Sequence, residues 1–239
     1  MSFKSLSLVA ASALALCGGS AHASNAFADS SFENAASVAG QFAQGWRGTN
    51  GPTAGNRTTA EAHTGLYSAV LRVLDPGFGG SGLVQNSVDD GGLLPLAASN
   101  WGTAPTLTFW AKGSASITGN VNYSLRYLDS IGNILNPVVN TSFQGVINSS
   151  GWTQITKSGV VIPANTSAVF LEMTLATGPT GPTINPDGSF TDYGQARVYI
   201  DDINLDVAVA AVPEPETYAM MLAGLGVVGT IVRRRRRSV

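Results

Sequence analysis

The side chains that could perform catalysis are few and scattered along this chain. Beyond the first 23 residues there is one histidine, His63, and no cysteine. A Ser-His-Asp arrangement would have to use His63, yet the chain has no Gly-x-Ser-x-Gly nucleophile elbow. A glycosidase needs two carboxylates about 5 to 10 Å apart in a groove. Five acidic residues offer too many pairs to single one out: Glu61, Asp129, Glu172, Asp187 and Asp192. The sequence therefore predicts a protein that is not an enzyme.

Aromatic side chains in loops are the second group that could act on a ligand, because aromatic faces bind the apolar faces of sugar rings. Long connections rich in Gly, Pro, Asn and Asp are predicted at residues 75–82, 89–103 and 178–194. Loops of this length in a compact domain are usually functional or disordered. Three loop aromatics are candidate ligand contacts: Phe78, Trp101 and Tyr193. The alternative is that they pack inward and cover the fold.

The charge distribution excludes nucleic acid as an expected partner. The chain has 13 basic and 15 acidic residues, for a net charge of -2. Setting aside Lys4, Glu214, Glu216 and the arginines at 233–237 leaves 7 basic and 13 acidic residues, a net charge of about -6 for the body. Phosphate binding depends on clustered Lys and Arg, which this body lacks.

The elements that would position these residues are β-strands. Apolar and polar residues alternate from Ala104 to Lys112, from Val121 to Tyr127 and from Val169 to Ala176. Weaker strands are predicted at residues 66–74, 82–88, 138–145, 152–157 and 196–207. Many short strands with frequent turn residues predict an all-β fold, a β-sandwich or jelly roll.

The N-terminus has the pattern of a secretory signal peptide, residues 1–23, which is predicted as a signal helix. Lys4 gives the positive start, Leu6 to Leu16 the apolar stretch, and Ala21 to Ala23 a small-x-small cleavage site. A lipoprotein signal at Cys17 is the alternative, but a large leucine precedes that cysteine. Cleavage removes Cys17, so the body, residues 24–207, has no disulfide and depends on its core or on a metal.

The C-terminus combines a linker, an apolar run and a basic end. We predict a linker at 208–217, a short transmembrane helix at 218–232 and a cytoplasmic arginine-rich tail at 233–239. A helix of 15 residues spans only about 23 Å of a hydrocarbon core roughly 30 Å thick. The helix is therefore a marginal membrane anchor that snorkelling arginines would assist. A buried amphipathic helix is disfavoured because the run is apolar on all faces.

This three-part C-terminus resembles the PEP-CTERM sorting signal of Gram-negative bacteria over residues 213–239. The resemblance implies that an exosortase, a membrane cysteine protease, recognises Pro213, Glu214 and Pro215. It also implies an inner-membrane intermediate, followed by release or attachment at the cell surface or in the extracellular matrix among exopolysaccharide.

The body contains a series of short motifs that resembles the galactose-binding-like jelly roll, the fold of many carbohydrate-binding modules. The motifs lie between residues 29 and 207 at 31–34, 45–46, 63–68, 107–112, 151–152 and 198–203. The resemblance implies core positions for Trp46, Trp110 and Trp152. Strict alternation, however, would place Trp110 on the face opposite Phe109.

The same resemblance implies a structural Ca²⁺ that joins the first and last strands. Glu33 and Asp202 would be its side-chain ligands, with carbonyls from around Ser31 and from the turn that includes Gly65. Ca²⁺ takes six to eight hard oxygen ligands, which this set could supply in part. The alternative is that Glu33 and Asp202 cap turns or face solvent.

The sequence thus favours an exported surface or exopolysaccharide-matrix protein that binds carbohydrate weakly. A hydrolase of extracellular polysaccharide is one alternative, and it predicts a groove with two facing carboxylates, one with a raised pKa. A purely structural or adhesive module is the other, and it predicts that the loop aromatics pack inward.

Overall fold

The computed structural model describes residues 22–49, 54–73, 79–92, 95–113, 120–158, 161–177, 196–209 and 225. Within these ranges the chain forms twelve strands and one turn of 3-10 helix at Ala98–Asn100. The strands are β1 (His22–Asn25), β2 (Gln41–Ala43), β3 (Trp46–Thr49), β4 (Asn56–Thr58), β5 (Ser68–Val73), β6 (Gly79–Asn86), β7 (Leu107–Gly113), β8 (Asn120–Leu128), β9 (Ile134–Ser142), β10 (Thr153–Lys157), β11 (Ala168–Thr177) and β12 (Ala196–Val209).

The strands form two sheets. The first, which we call the β12 sheet, has the order β10-β7-β12-β5-β4, with β1 also paired to β12. The second, the β11 sheet, has the order β2-β3-β6-β11-β8-β9. All neighbouring strands along these two orders pair antiparallel. The prediction of an all-β sandwich is confirmed.

The core lies between the two sheets and follows from the alternation along the strands. In β7, Leu107, Phe109 and Ala111 are buried in the core, whereas Trp110 and Lys112 are half-buried on the other face. Trp46 is fully buried, as the resemblance implied. Trp110 and Trp152 are half-buried and lie outside the core, so the core positions that the resemblance implied for them are wrong, and for Trp110 strict alternation predicted this. An inward face of apolar residues is what drives the sheets together.

One compact unit, Ala23–Ala208, contains the sandwich, and residues 1–22 with 209–239 make up the other. Every core residue of the described chain lies between Ala26 and Val207. This sandwich unit therefore carries its own hydrophobic core and is suited to expression alone. The predicted signal helix and transmembrane helix fall outside the described residues, apart from 22–23 and 225. In the part of the chain that is described, no helix is long and apolar enough to span a membrane.

Candidate functional site

A bulge in β12 positions two adjacent aspartates at one corner of the sandwich. The pairing of β12 with β7 shifts register between Asp201 and Asn204. Asp202 has a left-handed backbone, with φ of 48°. The backbone N–H of Ile203 donates to the carbonyl of Ser30 at 3.0 Å. Because a bulge re-aims the side chains beside it, Asp201 and Asp202 both reach the turn at residues 63–65.

Asp201 holds this turn from beneath. Its side chain is fully buried, and its Oδ2 accepts hydrogen bonds from the backbone N–H of His63 at 2.8 Å and of Thr64 at 3.2 Å. Its Oδ1 accepts from the N–H of Asp202 at 2.8 Å. Burial raises the pKa of Asp201 from 3.8 to about 6, although the three donors oppose that rise.

Asp202 holds the same turn from the side. Its Oδ1 accepts a hydrogen bond from the hydroxyl of Thr64, and its Oδ2 lies near Nδ1 of His63, both at 2.6 Å. The His63 ring stacks on Trp110, with centroids 4.0 Å apart and an interplanar angle of 16°. Trp152 meets the same ring edge-on at 5.6 Å. His63 therefore packs against the outer face of the β12 sheet.

Glu33 holds the other end of the turn. Its Oε1 accepts hydrogen bonds from the backbone N–H groups of Leu66 and Tyr67, each at 2.9 Å. Gly65 has φ of 63°, and a Cβ atom there would lie 2.3 Å from Oε1 of Glu33. Glycine is thus required both by the backbone and by the carboxylate above it. Arg57 lies 3.3 Å over the ring of Tyr67 and donates to the carbonyl of Phe32.

Three of the four residues predicted to hold Ca²⁺ lie at this turn, which we call the β12 corner. Glu33 contacts it from the N-terminal segment, Gly65 belongs to it and Asp202 contacts it from β12, whereas no contact brings Ser31 to it, although the neighbouring Ser30 accepts from the N–H of Ile203. Carboxylate and carbonyl oxygens suit a hard cation. However, both oxygens of Asp202 and Oε1 of Glu33 already contact groups of the turn. The described residues also contain no group of three or more His, Cys, Asp or Glu able to hold a metal.

Of the three loop aromatics, only Trp101 lies within the described ranges. Phe78 and Tyr193 lie outside them. Trp101 is half-buried and packs against the core. Its indole N–H donates to the carbonyl of Thr166 at 3.1 Å.

A polar and aromatic surface lies on the outer side of β8 and β11. Phe170 stands opposite Arg126, and Glu172 stands opposite Ser124. The guanidinium of Arg126 pairs with Glu172 at 2.7 Å and lies 5.5 Å from the centre of the Phe170 ring. Its Nε also donates to the hydroxyl of Ser124 at 3.1 Å. The Arg126 and Glu172 side chains remain 31% and 26% exposed.

Uncharged polar side chains extend this surface across neighbouring strands. Thr174 stands opposite Asn122, and Asn140 of β9 stands opposite Ser124. On the other side, Asn86 of β6 stands opposite Phe170. We call this surface the β11 face, and its members are Asn86, Asn122, Ser124, Arg126, Asn140, Phe170, Glu172 and Thr174. The alternation along β8 and β11 places several of these residues on a common outer side, but no local sequence pattern marks them as a site.

Comparison with known proteins identifies a sorting motif in the C-terminal segment. Residues 211–237 match the PEP-CTERM protein-sorting motif, so the predicted sorting signal is confirmed. The motif indicates an exported, surface-directed protein. A search of curated proteins gave no match.

Several solved structures are similar in fold. The enzymatically active domain of bacteriophage CBA120 tailspike protein 4 is 15% identical with a TM-score of 0.50, and the match covers 77% of this chain and 21% of that one. The CBM22-1 xylan-binding domain of Paenibacillus barcinonensis Xyn10C is 13% identical with a TM-score of 0.45, covering 80% and 99%. A family 16 carbohydrate-binding module is 17% identical with a TM-score of 0.40, covering 70% and 96%. The chain thus spans about a fifth of the tailspike chain, and the structures similar to it include carbohydrate-binding β-sandwich modules.

Proposed function

We propose that the protein is an exported, non-enzymatic surface or matrix protein that binds a neutral polysaccharide weakly on its β11 face. The observation that carries this proposal is the group formed by Arg126, Phe170 and Glu172. Its charged members are paired with each other, so the group presents donors, acceptors and an aromatic surface without a net charge. Neutral sugars are bound by this combination of groups.

The extent of the β11 face suits an extended chain better than a single ring. Four adjacent strands, β6, β11, β8 and β9, contribute to it. Strands lie about 4.8 Å apart, so the face is about 14 Å wide across the strands. The accessible polar groups along this width are mostly amides and one hydroxyl, namely Asn86, Asn122, Asn140 and Thr174, because Ser124 is buried beneath Arg126 and accepts from it.

Affinity electrophoresis of the sandwich unit through gels that contain soluble xylan, mixed-linkage β-glucan or dextran tests this proposal. We expect at least one neutral polysaccharide to retard the wild type and Phe170→Ala to lose the retardation. Gln154→Ala is the matched control, because Gln154 is exposed on β10 of the other sheet. Circular dichroism confirms that each variant folds. No retardation in any gel, or equal retardation of wild type and Phe170→Ala, would overturn the proposal.

The hydrolase alternative receives less support from the described carboxyls. Asp201 has a raised pKa, as an acid catalyst requires. Its carboxyl is fully buried, however, and accepts three backbone hydrogen bonds. Glu172 is accessible but paired with Arg126. The structural or adhesive alternative agrees with the inward packing of Trp101, and the binding assay separates it from glycan recognition.

Processing at the C-terminus is the second part of the proposal. The matched motif includes Pro213, Glu214 and Pro215. We propose that an exosortase recognises these residues while the apolar segment at 218–232 retains the chain at the inner membrane of a Gram-negative bacterium. The sandwich unit then reaches the surface or the extracellular matrix without the arginine tail.

A structural Ca²⁺ at the β12 corner is the third part. It is supported by the carboxylates of Glu33 and Asp202, which both contact the turn that contains Gly65, and the carbonyl of Ser31 is the fourth donor we propose. Such an ion would join the N-terminal segment to β12 in a unit that has no cysteine after residue 23.

A further inference from the structure

One edge of the β11 sheet is a long strand without charge. β9 is the last strand in the order of this sheet, and among the described residues it pairs only with β8. The sequence has no charged side chain between Asp129 and Lys157, although the body as a whole carries a net charge of about -6. Natural proteins usually protect a long edge strand with charged side chains, above all lysine. β9 lacks this protection.

Exposed apolar side chains concentrate along the same edge. Ile134 and Val138 of β9 are 54% and 42% exposed, and Ile131 and Val146 beside the strand are 81% and 56% exposed. The large apolar side chains exposed elsewhere in the described part of the sandwich unit are three: Val38, Leu66 and Val161. Covering apolar surface is favourable, and such a concentration is typical of an interaction site.

The backbone of β9 presents unpaired hydrogen-bonding groups at this edge. The N–H of Phe143, the residue after β9, donates to the carbonyl of Val121 in β8 at 3.0 Å. Successive residues of an antiparallel strand direct their N–H and C=O groups to opposite sides. Those of Ser142 and Asn140 therefore point away from β8, and no backbone group of the described residues pairs with them. An added strand would find its partners here.

The part of this edge that can pair is short. The register of β9 against β8 is regular from Val139 to Ser142 and shifts before it, where Pro137 has no N–H to donate. The opposite edge of the sheet is β2, which has three residues and is already bridged to Ala35. A sheet with one long open edge can add one strand there but has no second long edge from which to continue as a fibre.

We propose that β9 pairs antiparallel with β9 of a second copy, so that two sandwich units share one continuous sheet. The charge distribution favours this partner. Two acidic bodies repel each other, and an uncharged edge is where they approach at the least electrostatic cost. Pairing about a two-fold axis sets the strand against itself in a closed contact. With Asn140 at the axis, Val138 of each copy lies opposite Ser142 of the other.

This pairing brings two β11 faces to the same side of the shared sheet, because a two-fold axis between antiparallel strands is perpendicular to the sheet. The two polysaccharide surfaces then lie side by side, and one extended polysaccharide contacts both with a gain in avidity. This consequence rests on the proposed function, whereas the pairing itself does not.

Sedimentation velocity of the sandwich unit without polysaccharide tests the pairing. We expect the average mass to rise from one copy towards two between about 5 and 500 µM, the range for a contact smaller than a standard interface. Val138→Lys adds a charge to the edge and should weaken the association by about tenfold or more. Val161→Lys is the matched control, because Val161 is exposed outside the strands, and it should change the association less than about twofold. Salt should strengthen the association, because it screens the repulsion between two acidic copies.

Cysteine cross-linking tests the register, because the sandwich unit has no cysteine of its own. Asn140→Cys should form a covalent dimer with a short bismaleimide, since the two copies of this residue face each other at the axis. Gln154→Cys should not, because Gln154 is exposed on β10, the edge strand of the other sheet. Equal cross-linking of the two variants would overturn the proposal.

The remaining outcomes separate this pairing from other occupants and from the β11 face. A wild type that stays monomeric over the whole range, or a Val138→Lys variant that associates like the wild type, overturns the proposal. Hydrogen exchange at the amides of Asn140 and Ser142 should slow as the protein concentration rises. Slow exchange at every concentration would mean that another segment of the same chain covers the edge, which also overturns it. Self-association without retardation in the polysaccharide gels refutes only the β11 face, and retardation without self-association refutes only the pairing.

Discussion

The buried carboxyl of Asp201 should make the stability of the sandwich unit depend on pH. Burial raises the pKa of this group from 3.8 to about 6, so the folded protein binds the proton more tightly than the unfolded chain. The resulting stabilisation is complete below about pH 4 and is lost as the pH rises through about 6. The difference between 3.8 and about 6 corresponds to about 3 kcal/mol.

Asp201→Asn removes this titration while keeping the side chain's shape. We expect the free energy of unfolding of the wild type, minus that of the variant, to be about 2 to 3 kcal/mol larger at pH 4 than at pH 7. Asparagine has one acceptor oxygen for three backbone N–H donors, so the variant also loses about 1 to 3 kcal/mol at every pH. That constant loss does not affect the difference between the two pH values.

Urea unfolding followed by tryptophan fluorescence at pH 4, 5, 6 and 7 measures the effect. With a slope of about 2 kcal/mol per molar urea, the midpoint difference should change by about 1 M over this range. Asp29, whose pKa burial also raises, is present in both proteins and cancels. Asp206→Asn is the control, because Asp206 is exposed on the same strand. A wild-type-minus-variant difference that is constant with pH, or that grows towards pH 7, would refute the reasoning.

Three further predictions concern the β12 corner and the tail. Gly65→Ala should destabilise the unit by about 1 to 3 kcal/mol because of the left-handed backbone at this position, and further because the new Cβ displaces Glu33. Gly132 has φ of 87° and open space at its Cβ, so Gly132→Ala should show only the loss from the backbone in the same urea assay. Equal losses in the two variants would contradict the role of Glu33. If Ca²⁺ binds at the β12 corner, EDTA should lower the melting temperature of the wild type and leave that of Glu33→Gln unchanged. A wild-type melting temperature that does not change with EDTA rules the ion out. Mass spectrometry of the surface-exported protein should find no arginines from 233–237, whereas an intact C-terminus would exclude processing.

The strands that were predicted well are those with two different faces. The segment predicted at 169–176 became β11, Ala168–Thr177, and the one predicted at 104–112 became β7, Leu107–Gly113, because one side of each packs in the core. The segment predicted at 138–145 is shifted relative to β9, Ile134–Ser142. That strand lies at the edge of its sheet and is exposed along most of its length. Without a buried side it has no alternation to mark its ends.

The candidate sites also contain some features that local sequence motifs predict and others that depend on how distant strands pair. The motifs indicated that Glu33 and Asp202 meet near Gly65, and the structure brings both to one turn. The burial of Asp201 beneath that turn depends on the bulge in β12, which no local pattern reveals. The β11 face was missed for a similar reason, since pairing Arg126 with Phe170 and Glu172 requires the register between β8 and β11.

The position of the sorting motif along the chain explains why the β12 corner matters for an exported protein. β12 ends at Val209, and the matched motif begins at residue 211, so removal of the motif ends the chain just after its last strand. Chain ends fray unless they are tied down. Here, the N-terminal and C-terminal strands are joined to each other. The amide of Asn25 donates to the carbonyl of Ile203 at 2.7 Å, and its oxygen accepts from the N–H of Leu205 at 3.0 Å. If the proposed processing removes the motif, these hydrogen bonds keep both ends of the sandwich unit closed without a disulfide.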